Sequence, residues 1–113
     1  MIVDDSATIR ELLRAILAET ADSFCECSDG SEVLETYKKC RPDWVLMDFK
    51  MKEMDGIEAT EEILSSFPDA KIIMVTQFNN PILHERAIRT GAIDFVLKEN
   101  LIDIERIIHA QKN

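Results

Sequence analysis

The stretch of sequence that most constrains this chain is residues 44–56, WVLMDFKMKEMDG. Its apolar start, residues 44–47, predicts a strand that is buried on both faces of a sheet. That strand ends abruptly at a carboxylate, Asp48, and the polar segment behind it closes with the turn signal Asp55-Gly56. Open α/β sheets place their ligands at the carboxyl ends of the strands. Asp48 is therefore the first candidate site residue.

Apolar runs and amphipathic stretches alternate along the whole chain of 113 residues. The predicted strands are residues 1–3, 23–27, 44–47, 71–75 and 93–97, and the predicted helices cover residues 9–17, 33–40, 57–67, 81–90 and 101–108. Such alternation predicts parallel strands with helices on both faces, as one domain over residues 1–113. We expect a doubly wound three-layer α/β sandwich with strand order 2-1-3-4-5.

The first helix has the clearest pattern of the five. Ser6 offers a hydroxyl that can cap the helix N-terminus. The apolar residues behind it recur at helical spacing and predict one buried stripe: Ile9, Leu12, Leu13, Ile16 and Leu17.

The composition limits both partners and location. The chain has 22 acidic and 13 basic residues and a net charge of −9. Phosphate contacts need a basic face, so we expect this domain to bind no nucleic acid, whereas acidity suits a cation site. No apolar run approaches the ~18 residues of a membrane span, and Asp4-Asp5 is atypical of a signal peptide. Three cysteines without a CxxC pair predict free, buried or half-buried thiols in a reducing, cytoplasmic setting.

Four of the five predicted strands end at a residue that can bind phosphate or a hard cation. These residues are Asp4 and Asp5, Asp48, Thr76 and Lys98. The second strand ends in residues 27–29, CSD, and offers no obvious candidate, but in the expected order it lies on the outside of the sheet.

These residue types suit phosphoryl transfer. Converging carboxylates repel one another, so a proton or a cation must be bound among them, and Mg²⁺ prefers such oxygen ligands. Asp48 is a candidate nucleophile toward phosphorus. Thr76 and Lys98 are candidates to bind phosphoryl oxygens through a hydrogen bond and a point charge.

The chain resembles the receiver domain of a two-component response regulator over essentially its whole length. The matching segments are Asp4-Asp5-Ser6, Met47-Asp48, Met54-Asp55-Gly56, Val75-Thr76 and Phe95-Val96-Leu97-Lys98. The resemblance implies a flavodoxin-like (βα)5 fold, with Asp48 as phosphoacceptor. It also implies a Mg²⁺ site made by Asp5, Asp48 and the backbone carbonyl of Lys50, with Asp4 acting through water.

The resemblance further implies how the domain signals. Thr76 and Lys98 would bind the phosphoryl group, Phe95 would be the switch aromatic, and Lys50 and Phe78 would tune the phosphoryl lifetime. A sensor histidine kinase would donate the group, and the surface of the fourth helix, fifth strand and fifth helix would control an output domain or partner. That surface would also support dimerisation on phosphorylation. The resemblance implies that no external substrate is turned over, so we expect the domain not to be an enzyme in the ordinary sense.

Residues 89–92 and 97–101 resemble the LuxR-type subgroup of transcription factors. The chain departs from the family pattern at three positions. Lys52 stands where proline is usual, so the loop after Asp48 is expected to be less rigid. Gln77 replaces a small residue, which narrows access to the phosphoryl site. Glu99 replaces a proline that is often cis, and we expect a trans Lys98–Glu99 bond because a cis bond without proline costs ~2.5–4 kcal/mol.

Two other functions stay open at this stage. One is a Mg²⁺-dependent phosphohydrolase or phosphotransferase with an aspartyl intermediate, although such enzymes usually carry two aspartates two residues apart after the first strand. The other is a degenerate receiver that binds a partner without being phosphorylated. A flavin- or nucleotide-binding module is disfavoured, since no glycine-rich loop follows the first strand.

Overall fold

The computed structural model describes residues 1–111. Its strands are β1 (Ile2–Val3), β2 (Glu26–Cys27), β3 (Val45–Met47), β4 (Ile72–Thr76) and β5 (Asp94–Leu97). Its helices are α1 (Ala7–Ile16), α2 (Val33–Cys40), α3 (Gly56–Ser66), α4 (Pro81–Thr90) and α5 (Asp103–Ala110), with short 3₁₀ turns at Gly30–Glu32 and Lys98–Asn100. The strands form one parallel sheet in the order β2-β1-β3-β4-β5, which confirms the predicted topology. Within the described residues, no helix has the length and apolarity needed to cross a membrane.

Local chemistry explains where α1 begins and where α4 begins and ends. The Ser6 hydroxyl accepts a hydrogen bond from the third residue of α1, as predicted. Asn80 caps α4 in the same way, and Pro81 occupies the first turn, where its missing N–H costs nothing. Gly91 ends α4 with φ of 124°, a conformation that a side chain would strain.

The sheet is packed on both faces, which makes the fold a three-layer sandwich. Alternate residues of β3 and β4 contribute to two separate apolar clusters, one against α2, α3 and α4 and the other against α1 and α5. All five residues of β4 are buried, as expected for a central strand. Ile63 of α3 and Ile104 of α5 are fully buried on opposite faces. The carboxyl ends of all five strands consequently share one edge.

Three sequence predictions were wrong in detail. The second strand covers only Glu26–Cys27 at the edge of the sheet, rather than residues 23–27, although the Cys25 carbonyl still accepts the Ile2 N–H at 2.8 Å. Leu12, which the helical spacing predicts to lie in the buried stripe of α1, is 45% exposed, whereas Leu13 beside it is buried. Cys40 is exposed at the last residue of α2, whereas Cys25 and Cys27 are half-buried and buried, and all three are free thiols.

Candidate functional site

Three carboxylates meet where β1 and β3 end. The two strands are paired with Val3 opposite Met47, so the residues that follow them, Asp4 and Asp48, leave the sheet side by side. Asp4 and Asp48 are 1% and 6% exposed, whereas Asp5 is open to solvent. Oxygen atoms from the three side chains all lie within 4.8 Å of one another. The structure thus brings together the three aspartates that the sequence proposed.

Lys98 bridges the two buried members of this cluster. Its Nζ lies 2.9 Å from Asp4 Oδ2 and 3.2 Å from Asp48 Oδ1, and its side chain is 17% exposed. Lys98 directly follows β5, two strands away from Asp48, and its long side chain spans β4 to reach the carboxylates. The Lys98–Glu99 peptide bond is trans, as predicted, and no peptide bond among residues 1–111 is cis.

The electrostatics of the cluster are unbalanced. Burial first, and the nearby charge of Asp4 second, raise the pKa of Asp48 to about 6, with Lys98 only partly opposing them. Burial disfavours the charged form of Lys98, yet its bonds to Asp4 and the charge of Asp48 prevail and raise the pKa of this ammonium. One lysine therefore does not neutralise the converging carboxylates, and the site is suited to an additional cation.

Backbone contacts fix the orientation of the two buried carboxylates. Asp48 Oδ1 accepts the Phe49 N–H at 3.0 Å, and Asp4 Oδ1 accepts the Ser6 N–H at 2.9 Å. Both polar contacts of Asp48 fall on Oδ1, so among residues 1–111 no hydrogen bond or ion pair engages its Oδ2. Oδ2 is the atom that remains free to react or to bind a metal.

Arg10, which no sequence pattern indicated, supports the carboxylate cluster from α1. Its Nη1 donates to the Asp4 carbonyl at 2.7 Å, and its Nε donates to Glu26 of β2 at 3.0 Å. Arg14, one turn later, binds the same Glu26 carboxylate. The sequence shows only that a basic residue follows Asp4 by six positions, and this spacing does not indicate that Arg10 binds the Asp4 backbone carbonyl.

A cleft of about 420 Å³ opens beside Asp48. Its lining residues are Asp5, Asp48, Lys50, Met51, Lys52, Gln77, Phe78 and Lys98. Lys50 and Phe78, the two predicted lifetime positions, thus both face the space next to Asp48. The Phe78 ring packs edge-on against Phe49, with 6.3 Å between ring centroids. The lining of the cleft therefore contains acidic side chains, basic side chains and an aromatic ring.

Thr76 and Phe95 lie outside this cleft. Thr76 is fully buried at the end of β4, and its Oγ1 accepts the Phe78 N–H at 3.2 Å. Phe95 pairs with Met74 in the sheet, and its ring stacks on His84 of α4 at a centroid distance of 4.7 Å and an interplanar angle of 8°. It lines a separate cavity of about 350 Å³ formed by residues of α4, β5 and α5.

Comparison with known proteins places these observations in context. The sequence matches the family model described as response regulator receiver domain over residues 1–111. It is 39% identical over 99 residues to the chemotaxis protein CheY of Thermotoga maritima, covering 87% of this chain and 82% of that protein. A LuxR-family two-component response regulator from Aurantimonas sp. superposes with a TM-score of 0.90 and 28% identity, covering 97% of this chain and 81% of that one. A chain of the CheX-CheY-BeF3-Mg²⁺ complex from Borrelia burgdorferi has a TM-score of 0.88 and 27% identity, covering 99% and 87%.

Proposed function

This chain belongs to the response regulator receiver domains of two-component systems, a family of signalling switches, and from this premise we propose that it accepts one phosphoryl group on Asp48 with the help of Mg²⁺. The observation that carries the proposal is the buried pair Asp4 and Asp48 bridged by Lys98, with Asp48 Oδ2 free beside an open cleft. Nucleophile, cation partner and space for a phosphoryl group meet at one edge of the sheet.

The donor set fits a magnesium ion. The three clustered side chains offer only carboxylate oxygens, the ligands that this hard cation prefers, and one of them is exposed, which leaves room for water. Asp5, Asp48 and the backbone carbonyl of Lys50 would hold the ion, and Asp4 would act through water. The bound ion would supply positive charge that offsets the mutual repulsion of the carboxylates and the charge of an incoming phosphoryl group. The presence of Mg²⁺ in the Borrelia CheX-CheY-BeF3 complex supports this choice of metal.

The transfer step uses the residues in place. Asp48 Oδ2 attacks the phosphorus of a phosphohistidine on a kinase, or of a small acyl phosphate. With phosphohistidine, the bond from phosphorus to the imidazole nitrogen breaks, and that nitrogen keeps the electron pair and is protonated, so neutral imidazole leaves. With an acyl phosphate, the bond from phosphorus to the bridging oxygen breaks and a carboxylate leaves with the electron pair. In both cases an aspartyl phosphate remains. Lys98 then shifts from the carboxylates to a phosphoryl oxygen, and the Thr76 hydroxyl donates to another.

The change in the signalling surface begins when the Thr76 hydroxyl turns toward the phosphoryl group. When Oγ1 turns toward the phosphoryl group it gives up the Phe78 N–H, and the space that opens beside β4 favours inward rotation of Phe95. This changes the surface formed by α4, β5 and α5, which we propose binds an output domain or downstream protein, or a second copy of the domain. A sensor histidine kinase as donor and a cytoplasmic location are the matching expectations for this family.

Intact-mass measurement after incubation with acetyl phosphate tests the proposal. We expect one phosphoryl adduct in the presence of Mg²⁺, no adduct in EDTA, and no adduct in Asp48→Asn. Asp43→Asn, an exposed aspartate before β3 at the opposite edge of the sheet, is the matched control and should react as the wild type does. An unphosphorylated wild type that still binds Mg²⁺ would instead support a degenerate receiver that works by partner binding alone.

A further inference from the structure

The loop between β3 and α3, residues 49–55, carries the Lys50 carbonyl that the proposed metal site requires. Its base is closed by the Gly56 N–H, which donates to the Phe49 carbonyl at 2.7 Å. A Cβ on Gly56 would lie 2.1 Å from the Asp48 carbonyl oxygen, so only glycine allows this closure. Met51 anchors the middle of the loop in the core. The base of the loop is therefore fixed directly behind Asp48.

The far half of the loop is held by the turn that follows β2, the strand for which the sequence offered no site residue. Asp29 Oδ1 accepts the Glu53 N–H at 3.0 Å, across 24 residues of sequence. Asp29 Oδ2 accepts the Ser31 N–H at 2.9 Å, which fixes the carboxylate at the start of its own 3₁₀ turn. One side chain thus joins two segments that are far apart in the chain.

Gly30 allows the same two segments to touch. A Cβ at this position would lie 2.3 Å from the Met54 carbonyl oxygen, a distance at which the loop backbone would have to move. Gly30 is buried, and its φ is not in the left-handed region, so the contact with Met54 rather than backbone freedom requires glycine here. Asp29 and Gly30, in the turn after β2, therefore meet the loop through a hydrogen bond and a close backbone approach.

The bond from Asp29 is charge-assisted. Partial burial opposes ionisation, but the backbone N–H groups of Glu53, Ser31 and Met54 outweigh it and lower the pKa of Asp29. A carboxylate accepting several N–H groups holds its partners about twice as strongly as a neutral acceptor does. The loop itself, FKMKEMD, contains no proline to restrict it, so such external contacts must order it.

We propose that Asp29 and Gly30 form a clamp, hereafter the β2 clamp, that positions the Lys50 carbonyl for the metal. The β2 clamp deepens the proposed function and rests on it. Asp29 lies outside the carboxylate cluster of Asp4, Asp5 and Asp48, so it acts as a positioning residue through Glu53 and the loop backbone. Removing a hydrogen bond made directly to a metal ligand typically weakens metal binding by 10–100-fold. We expect the lower end of that range, about tenfold, because the Asp29 contact reaches Lys50 only through three residues of loop backbone.

Calorimetric titration with Mg²⁺, combined with amide hydrogen exchange at Glu53, tests the β2 clamp. Asp29→Ala should weaken Mg²⁺ binding about tenfold and deprotect the Glu53 amide. Asp43→Ala removes one equally negative but distant charge and should change neither readout appreciably. Asp29→Asn keeps an uncharged oxygen for the Glu53 N–H but offers no second acceptor to the Ser31 N–H, so its amide protection and Mg²⁺ affinity should lie between those of Asp29→Ala and the wild type. Gly30→Ala should push the Met54 carbonyl away and weaken Mg²⁺ binding while Asp29 is intact.

The outcomes separate the β2 clamp from the function it serves. A wild type that binds no Mg²⁺ would refute the proposed function, and the positioning role with it. A wild type that binds Mg²⁺, with Asp29→Ala matching Asp43→Ala in affinity despite a deprotected Glu53 amide, would refute the β2 clamp alone. If Asp29→Ala fails to fold, Asp29→Asn and Gly30→Ala decide the matter, and unchanged Mg²⁺ affinity in Gly30→Ala overturns the proposal.

Discussion

Replacing Asp48 with asparagine should make the metal-free domain more stable at neutral pH. Asparagine keeps an oxygen for the Phe49 N–H, but it removes the negative charge buried beside Asp4. In the folded wild type, burial and the charge of Asp4 raise the pKa of Asp48 from 3.8 to about 6. At 1.36 kcal/mol per pKa unit, that rise corresponds to about 3 kcal/mol of stability lost when Asp48 ionises.

The pH dependence has a defined sign. Because the folded-state pKa of Asp48 lies above its unfolded value, the folded state binds more protons between about pH 4 and pH 6, and stability falls as pH rises through that interval. The penalty is complete above pH 6 and absent below pH 4. The stabilising effect of Asp48→Asn should accordingly be about 3 kcal/mol near pH 7.5 and should shrink toward zero as pH falls to about 4.

Urea denaturation in EDTA, followed by circular dichroism at several pH values, measures this difference. Asp5→Asn is the matched control, because it removes an exposed carboxylate of the same cluster and should change stability by less than about 1 kcal/mol. An Asp48→Asn variant that is no more stable than wild type near pH 7.5 would show that the ionised Asp48 carboxylate does not destabilise the folded domain. A gain that does not vary with pH would also contradict the prediction, since it would not arise from ionisation.

Three further predictions concern Lys98, the apolar core and the ring of Phe95. Lys98→Ala should lower metal-free stability by about 2 kcal/mol in urea, since it leaves two buried carboxylates unpaired, and saturating Mg²⁺ should restore most of the loss. Ile63→Ala empties a fully buried site and should cost 2–5 kcal/mol in the same assay, with an unchanged stability contradicting the assigned core. His84→Ala removes the stack on Phe95 and should lower the free energy of unfolding by about 0.5–1.5 kcal/mol. Ile82→Ala, at a site 72% exposed, is the control and should change it by no more than about 0.5 kcal/mol. Equal effects of the two substitutions would argue against the stack.

The sequence predicted most of the fold and the centre of the site because both depend on periodicity and on strand ends. Once five parallel strands are expected, the residues that follow them must share one edge, so the meeting of Asp4, Asp48 and Lys98 follows from topology. Caps such as Ser6 and Gly91 were equally readable, because each meets a local backbone requirement.

The contacts that were missed are those that depend on how distant segments pack. Nothing near Asp29 indicates that its carboxylate accepts an N–H 24 residues away, and nothing near Arg10 indicates a backbone carbonyl as its partner. Leu12 recurs at helical spacing with the apolar residues of α1, but it lies at the margin of the face that they form. How α1 packs on the sheet decides whether a residue at that margin is buried or exposed. Helical spacing likewise does not indicate that His84 of α4 stacks on Phe95.

The most direct test of the central claim locates the phosphoryl group on the chain. The domain is treated with acetyl phosphate and Mg²⁺, the acyl phosphate is reduced with borohydride to homoserine, and the peptides are sequenced by tandem mass spectrometry. We expect homoserine at position 48 alone, because Asp48 is the buried carboxylate whose Oδ2 is free beside the cleft. Homoserine at Asp4, Asp5 or Asp55 with none at position 48 would contradict it.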